Sequence, residues 1–137
     1  DALEVPTADR IEAWVHEVDP AVVRAGATAA LASTEGLARL GDTDTWLTGD
    51  HASTSPALRS HLVVAELVGS ARQQRRQLAD VGFSRCTVKS RDVSVEPREV
   101  LRGLGVTEGP DAVIVMTRRH GRVVSLMTQR AAASSAR

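Results

Sequence analysis

Apolar residues recur at helical spacing before Gly82 and at strand spacing after it, so the chain reads as helices followed by strands. Ile11, Trp14, Val15 and Val18 stand at i, i+3, i+4 and i+7 and predict a first helix whose start Pro6 and Thr7 set. Asp19 and Pro20 break that helix and supply the N-cap and first-turn proline of a second, which runs through an alanine-rich stretch to about Leu40 and stops at Gly41. Gly26 and Gly36 interrupt it, and it bends or splits near Ser33. The Gly, Asp, Thr and Ser residues from 41 to 55 form a loop anchored by Trp46 and Leu47. Ser55 and Pro56 then open a third helix, with Leu58, Leu62, Ala65 and Leu78 on its apolar face and a polar end from Arg72 to Gln77. It closes near Asp80, with Gly82 as its left-handed cap.

Beyond Gly82, Cys86 and Val88 alternate in one phase and Val93 and Val95 in the other, which predicts one long strand kinked between Lys89 and Asp92. Pro97 ends it, and Gly103 to Pro110 forms a connection. Ala112 to Met116 is apolar throughout, as in a strand covered on both faces. Arg118 to Gly121 turns the chain, and Val123 to Met127 returns antiparallel. Helices first and strands second argue an α+β fold: N-terminal helices packed on a curved C-terminal antiparallel sheet.

A length of 137 residues suits a single domain, with residues 1–6 as a leader and 131–137 as a tail peripheral to it. Seventeen basic against 17 acidic residues give no net field, which argues against nucleic acid or an anionic membrane as partner. Lys89 is the only lysine, and Asn and Tyr are absent, a composition that fits a GC-rich, actinobacterial-type genome. Arginine there is the default cation, which weakens it as a signal of anion recognition. Cys86 is the only cysteine, so no intramolecular disulfide forms. The longest apolar run, Leu62 to Val68, contains Glu66 and falls short of the ~20 residues that cross a bilayer. The start at Asp1 fits removal of a leader or anchor, which favours a cell-surface or secreted setting over the cytoplasm.

The order of three helices and a sheet resembles the NTF2-like, or SnoaL-like, cone superfamily. Leu40-Gly41-Asp42-Thr43-Asp44-Thr45-Trp46-Leu47, followed by Asp50-His51-Ala52, is similar to that group's segment between its second and third helices. The resemblance covers about residues 7–130 and implies a cone with a pocket. Trp46, His61 and Cys86 would line this pocket, and Asp50 and His51 would form an acid/base pair at its mouth. Sheet-mediated dimers are common in the superfamily, which makes Val113, Val115 and Val123 interface residues. With only Phe83, Trp14 and Trp46 as aromatics, the cone is largely filled.

Each candidate has a plainer reading. Asp42, Asp44, Asp50 and His51 read as a solvated, cap-rich turn, and no metal or cofactor is expected; Ser53 stands where a calcium loop needs a bidentate carboxylate. His16 and His61 read as hydrogen-bonded core-edge residues, and His120 as a turn residue. Cys86 reads as a small core residue. Arg72, Arg75 and Arg76, with Arg118, Arg119 and Arg122, read as solvated faces, because no aromatics are interleaved with them. Two functions stay open: a non-catalytic binding or assembly domain acting through protein contacts or self-association, and a small SnoaL-like cyclase, isomerase or epoxide hydrolase. A small-molecule ligand fits either. The sequence names no ligand, substrate or partner.

Overall fold

The computed structural model describes residues 4–131; the parts of the expected leader and tail at 1–3 and 132–137 lie outside them. These residues fall into two compact units: residues up to Leu62 with Arg130 and Ala131, and Val63–Gln129.

The first unit is built on β1 (Trp14–Val18), where the periodicity predicts a helix. Trp14, Val15 and Val18 are aromatic or β-branched and favour an extended chain. Two helices follow, α1 (Pro20–Arg24) and α2 (Thr28–Glu35), and then the strands β2 (Ala38–Arg39), β3 (Trp46–Gly49) and the first half of β4 (Leu58–Leu67). The strand order is β2-β3-β1-β4, antiparallel at every pairing. Because β1 is paired on both edges and covered on both faces, Val15 and the adjacent His16 are both fully buried. That loss of alternation lets a central strand imitate helical spacing.

The second expected helix starts where Asp19 and Pro20 place it: the Asp19 carboxylate accepts from the Ala21 N–H at 2.8 Å. Gly26, at φ 68°, then splits it, and α2 ends on Gly36, at φ 71°, well before Leu40. Around β1 the core comprises Val5, Val18, Ala32, Leu37, Leu47 and Leu58.

Leu58–Leu67 is a strand as well, and only α3 (Ala71–Val81) realises the third helix. Along β4, Leu58 and Ser60 are buried; from His61 onward the buried side passes to His61 and Leu67, with Leu62 and Val64 exposed. This one-residue slip places Leu58, Leu62 and Ala65 at apparent helical spacing. Ser70 caps α3: its hydroxyl accepts from Gln73 N–H at 3.2 Å, and the Gln73 side chain accepts from Ser70 N–H at 2.7 Å. Gly82 ends the helix at φ 90°, as expected.

In the second unit α3 leads to β5 (Arg85–Ser90), α4 (Pro97–Leu104), β6 (Thr107–Glu108), β7 (Ala112–Arg119) and β8 (Arg122–Arg130). The order is β4-β8-β7-β5-β6, and β5 runs parallel to both β7 and β6. The expected long kinked strand stops at Ser90, whose hydroxyl donates to the Val93 carbonyl at 2.9 Å. Pro97, read as a strand terminator, is the first-turn proline of a helix. The Glu96 carboxylate accepts from Arg98 N–H at 2.8 Å, and Gly105 closes the helix at φ 71°. Helix α4 is therefore the crossover that a parallel β5–β7 pair requires.

Together these elements overturn the expectation of N-terminal helices on an antiparallel sheet: the chain opens on a strand, strands outnumber helices, and the second unit is mixed. The expected hairpin is present. β7 pairs antiparallel with β8 around His120 and Gly121, both at positive φ, the signature of a tight two-residue turn. Leu67, Leu78, Cys86, Leu101, Leu104, Ala112, Ile114 and Met127 form the second core. Val113 and Val115 are 7% and 0% exposed, which corrects their reading as interface residues; Val123 is exposed.

Candidate nucleic-acid interface

Asp50 and His51 follow β3 in the first unit and do meet, His51 Nδ1 lying 2.7 Å from Asp50 Oδ1. Both are exposed, and the imidazole holds the Asp50 carboxyl below the usual carboxylate range. Trp46 and His61 are fully buried with ring centroids 5.9 Å apart and planes tilted by 58°. Cys86 lies in the other unit's core, where burial and then Asp111 raise its thiol pKa.

A polar line in the first unit runs from buried His16 and Ser60 to half-buried Ser53 and Glu35. His16 Nδ1 lies 2.9 Å from Ser60 Oγ, Ser53 N–H donates to that same hydroxyl at 2.9 Å, and Ser53 Oγ donates to Glu35 at 2.7 Å. Desolvation, aided by repulsion from His51 and opposed by Glu35, pushes the His16 pKa down to about 4. The imidazole is therefore neutral at physiological pH.

Charge separates the two units. Val63–Gln129 holds eleven basic against seven acidic residues, and the remainder holds six against ten. The overall balance hides a cationic unit and an anionic one. Helix α3 carries Arg72, Arg75 and Arg76, α4 carries Arg98 and Arg102, and the β7–β8 turn is flanked by Arg118, Arg119 and Arg122.

Arg75 Nε donates to the Gly103 carbonyl at 2.8 Å, so this guanidinium is positioned across the α3–α4 pair. Beside it opens a groove of about 350 Å³ in which the half-buried Phe83 ring, the only phenylalanine, lies with Arg75, Ser84 and Val106. A positioned guanidinium next to an aromatic ring is a combination that grips unpaired bases. Arg85, by contrast, is spent on Asp111, donating from Nη2 at 2.9 Å, and this contact holds the Asp111 carboxyl below its ordinary range.

A family model described as "THUMP domain-like" matches residues 58–130. Over 105 residues the chain is 30% identical to an uncharacterised S-adenosylmethionine-dependent methyltransferase of Mycobacterium tuberculosis, found in two strains. The match covers 77% of this chain and 29% of each relative, so the chain spans under a third of their length. Among solved structures, a candidate methyltransferase of Porphyromonas gingivalis covers 93% of this chain with 32% of its own. The TM-score is 0.75 at 22% identity, which shows a shared fold.

These findings replace the NTF2-like resemblance, and with it both functions drawn from it, the assembly domain and the SnoaL-like enzyme. They also correct the exclusion of nucleic acid, since THUMP domains are RNA-binding. The exclusion came from a whole-chain charge that averages two opposite units. Summing charge by segment would have exposed it: residues 58–130 alone hold thirteen basic against seven acidic residues.

Proposed function

The chain belongs to the THUMP domain-like family, and from that premise we propose that it is the RNA-contacting part of an S-adenosylmethionine-dependent RNA methyltransferase. The observation that carries this reading is the coincidence of the family match with the cationic segment, thirteen basic against seven acidic residues over 58–130. Arg side chains on α3, α4 and the β7–β8 turn neutralise phosphates, while the Phe83 groove accepts an unpaired base. The likeness to M. tuberculosis proteins named as S-adenosylmethionine-dependent methyltransferases supports the methyl-transfer setting.

The methyl donor itself is not assigned to these residues. The groove beside Glu99, lined by Val100, Ile114 and Met116, has a volume of about 230 Å³. That is below the roughly 300 Å³ at which small-molecule sites begin. The Phe83 groove has no carboxylate to hold ribose hydroxyls.

Fluorescence anisotropy with a hairpin RNA bearing single-stranded tails tests the reading. Binding should weaken as salt rises, and Arg72→Gln with Arg76→Gln should flatten the log–log salt slope by about 0.7–0.9 per lost phosphate contact. Absence of binding at low salt, or binding indifferent to salt, would overturn it.

A further inference from the structure

We propose that Arg59 and Arg130 form a phosphate-binding pocket in the first unit, a site separate from the α3–α4 face, which rests on the reading of the chain as RNA-contacting. Ser53, Arg59, Ser60, Arg130 and Ala131 line a cavity of about 370 Å³. Ala131 N–H donates to the Ser60 carbonyl at 3.0 Å, and this bond holds the end of β8 against β4, so the two arginines flank one opening.

Three features make this an anion site. First, neither guanidinium has a hydrogen bond or ion pair among the described residues, although the unit holds ten acidic residues to six basic ones. In the same unit Arg39, by contrast, is committed to Asp44. Secondly, Glu35, the carboxylate tied to this pocket through Ser53, already accepts the Ser53 hydroxyl at 2.7 Å.

Thirdly, the floor is built. The Ser60 hydroxyl sits between Ser53 N–H and His16 Nδ1, 2.9 Å from each, and Ser60 is only 7% exposed. His16 is neutral at physiological pH, so the positive charge of the opening resides in the two guanidiniums. Planar forks of this kind suit the paired oxygens of a phosphate. The volume leaves room for the attached sugar. Both arginines lie at the ends of the family segment, 58–130.

The phosphate has two sources, an internal phosphodiester or a terminal phosphomonoester of RNA. Anisotropy titrations with one hairpin RNA, prepared with a 5′-phosphate and with a 5′-hydroxyl, separate them. The Arg59→Gln/Arg130→Gln protein should bind about tenfold more weakly, with a salt slope reduced by roughly one to two. Loss for both RNAs assigns an internal phosphate, and loss confined to the 5′-phosphorylated RNA assigns a terminal one; either supports the pocket. Wild-type binding with unchanged affinity and slope in the double variant would overturn the pocket and leave the RNA reading intact. No binding by the wild type would overturn both.

Discussion

The two units use the same β-rich materials toward opposite ends. The first is anionic and antiparallel, and its buried His16 and Ser60 are linked to each other and onward to half-buried Ser53 and Glu35. The second is cationic and mixed, with a mostly apolar core that also buries Thr117 and Thr128 on β7 and β8, and with arginines on helices α3 and α4. The difference teaches that net charge and mean composition are properties of segments, not of chains. A chain with no net charge presents a cationic unit because a neighbouring stretch of sequence carries the compensating acid.

The largest effects should come from breaking either core alone. Trp46 is fully buried in the first unit and Ile114 in the second. Trp46→Ala should cost about 3–5 kcal/mol and Ile114→Ala about 2–5 kcal/mol, through lost transfer energy and an unfilled cavity. Hydrogen exchange should show the first loss among residues 14–62 and the second among 63–129. Equal loss of protection in both segments from either substitution would break the comparison and show one cooperative body.

A pH titration gives the next largest effect and concerns only the first unit. The folded-state pKa of His16 is about 4, below the ordinary 6.5. Between these values the unfolded chain binds a proton that the folded chain refuses, so stability falls as the pH drops from about 6.5 toward 4. Above 6.5 His16 contributes no pH dependence. The full loss approaches about 3 kcal/mol, from 1.36 kcal/mol per pKa unit. Urea midpoints for the wild type and His16→Gln should diverge in their pH slope over this window. Parallel slopes would show that the buried imidazole is not what ties the first unit to neutral pH.

How much of this was legible in the sequence depends on how many faces each element buries. The β7–β8 hairpin was readable because an apolar run, a His120-Gly121 turn and a second apolar run admit few alternatives. The boundaries of α3 were half readable: Gly82 marked its end, but its true start, the Ser70 capping box, lay inside what looked like a longer helix. β1 was unreadable because a strand covered on both faces loses its alternation, and β4 because its buried side changes at Ser60–His61. Both failures feed a helical template that accepts i, i+3 and i+4 matches. Helix α4 is hidden in the sequence because Pro97 fits a strand stop, although Glu96-Pro97 is equally a cap and first turn. Of the candidate site, the arginines were visible and set aside. Arg59 and Arg130 stand 71 positions apart, and only the β4–β8 end brings them to one opening.

The smallest effect sharpens the comparison at its helices. In the first unit α2 has Ala27 at its N-cap and no side-chain cap, whereas α3 in the second begins with a reciprocal capping box. A cap of this kind satisfies two backbone N–H groups that the first helical turn otherwise leaves to solvent. Ser70→Ala should therefore cost about 1 kcal/mol, and Ser70→Gly only a few tenths. The alanine variant should fray the start of α3, the helix bearing Arg72, Arg75 and Arg76, so exchange should rise first at residues 71–74 while residues 14–49 keep their protection. If the alanine and glycine variants lose equal stability, the serine acts through the conformation of the β4–α3 connection and not through its hydroxyl. The two units would then differ in their sheets and charge alone.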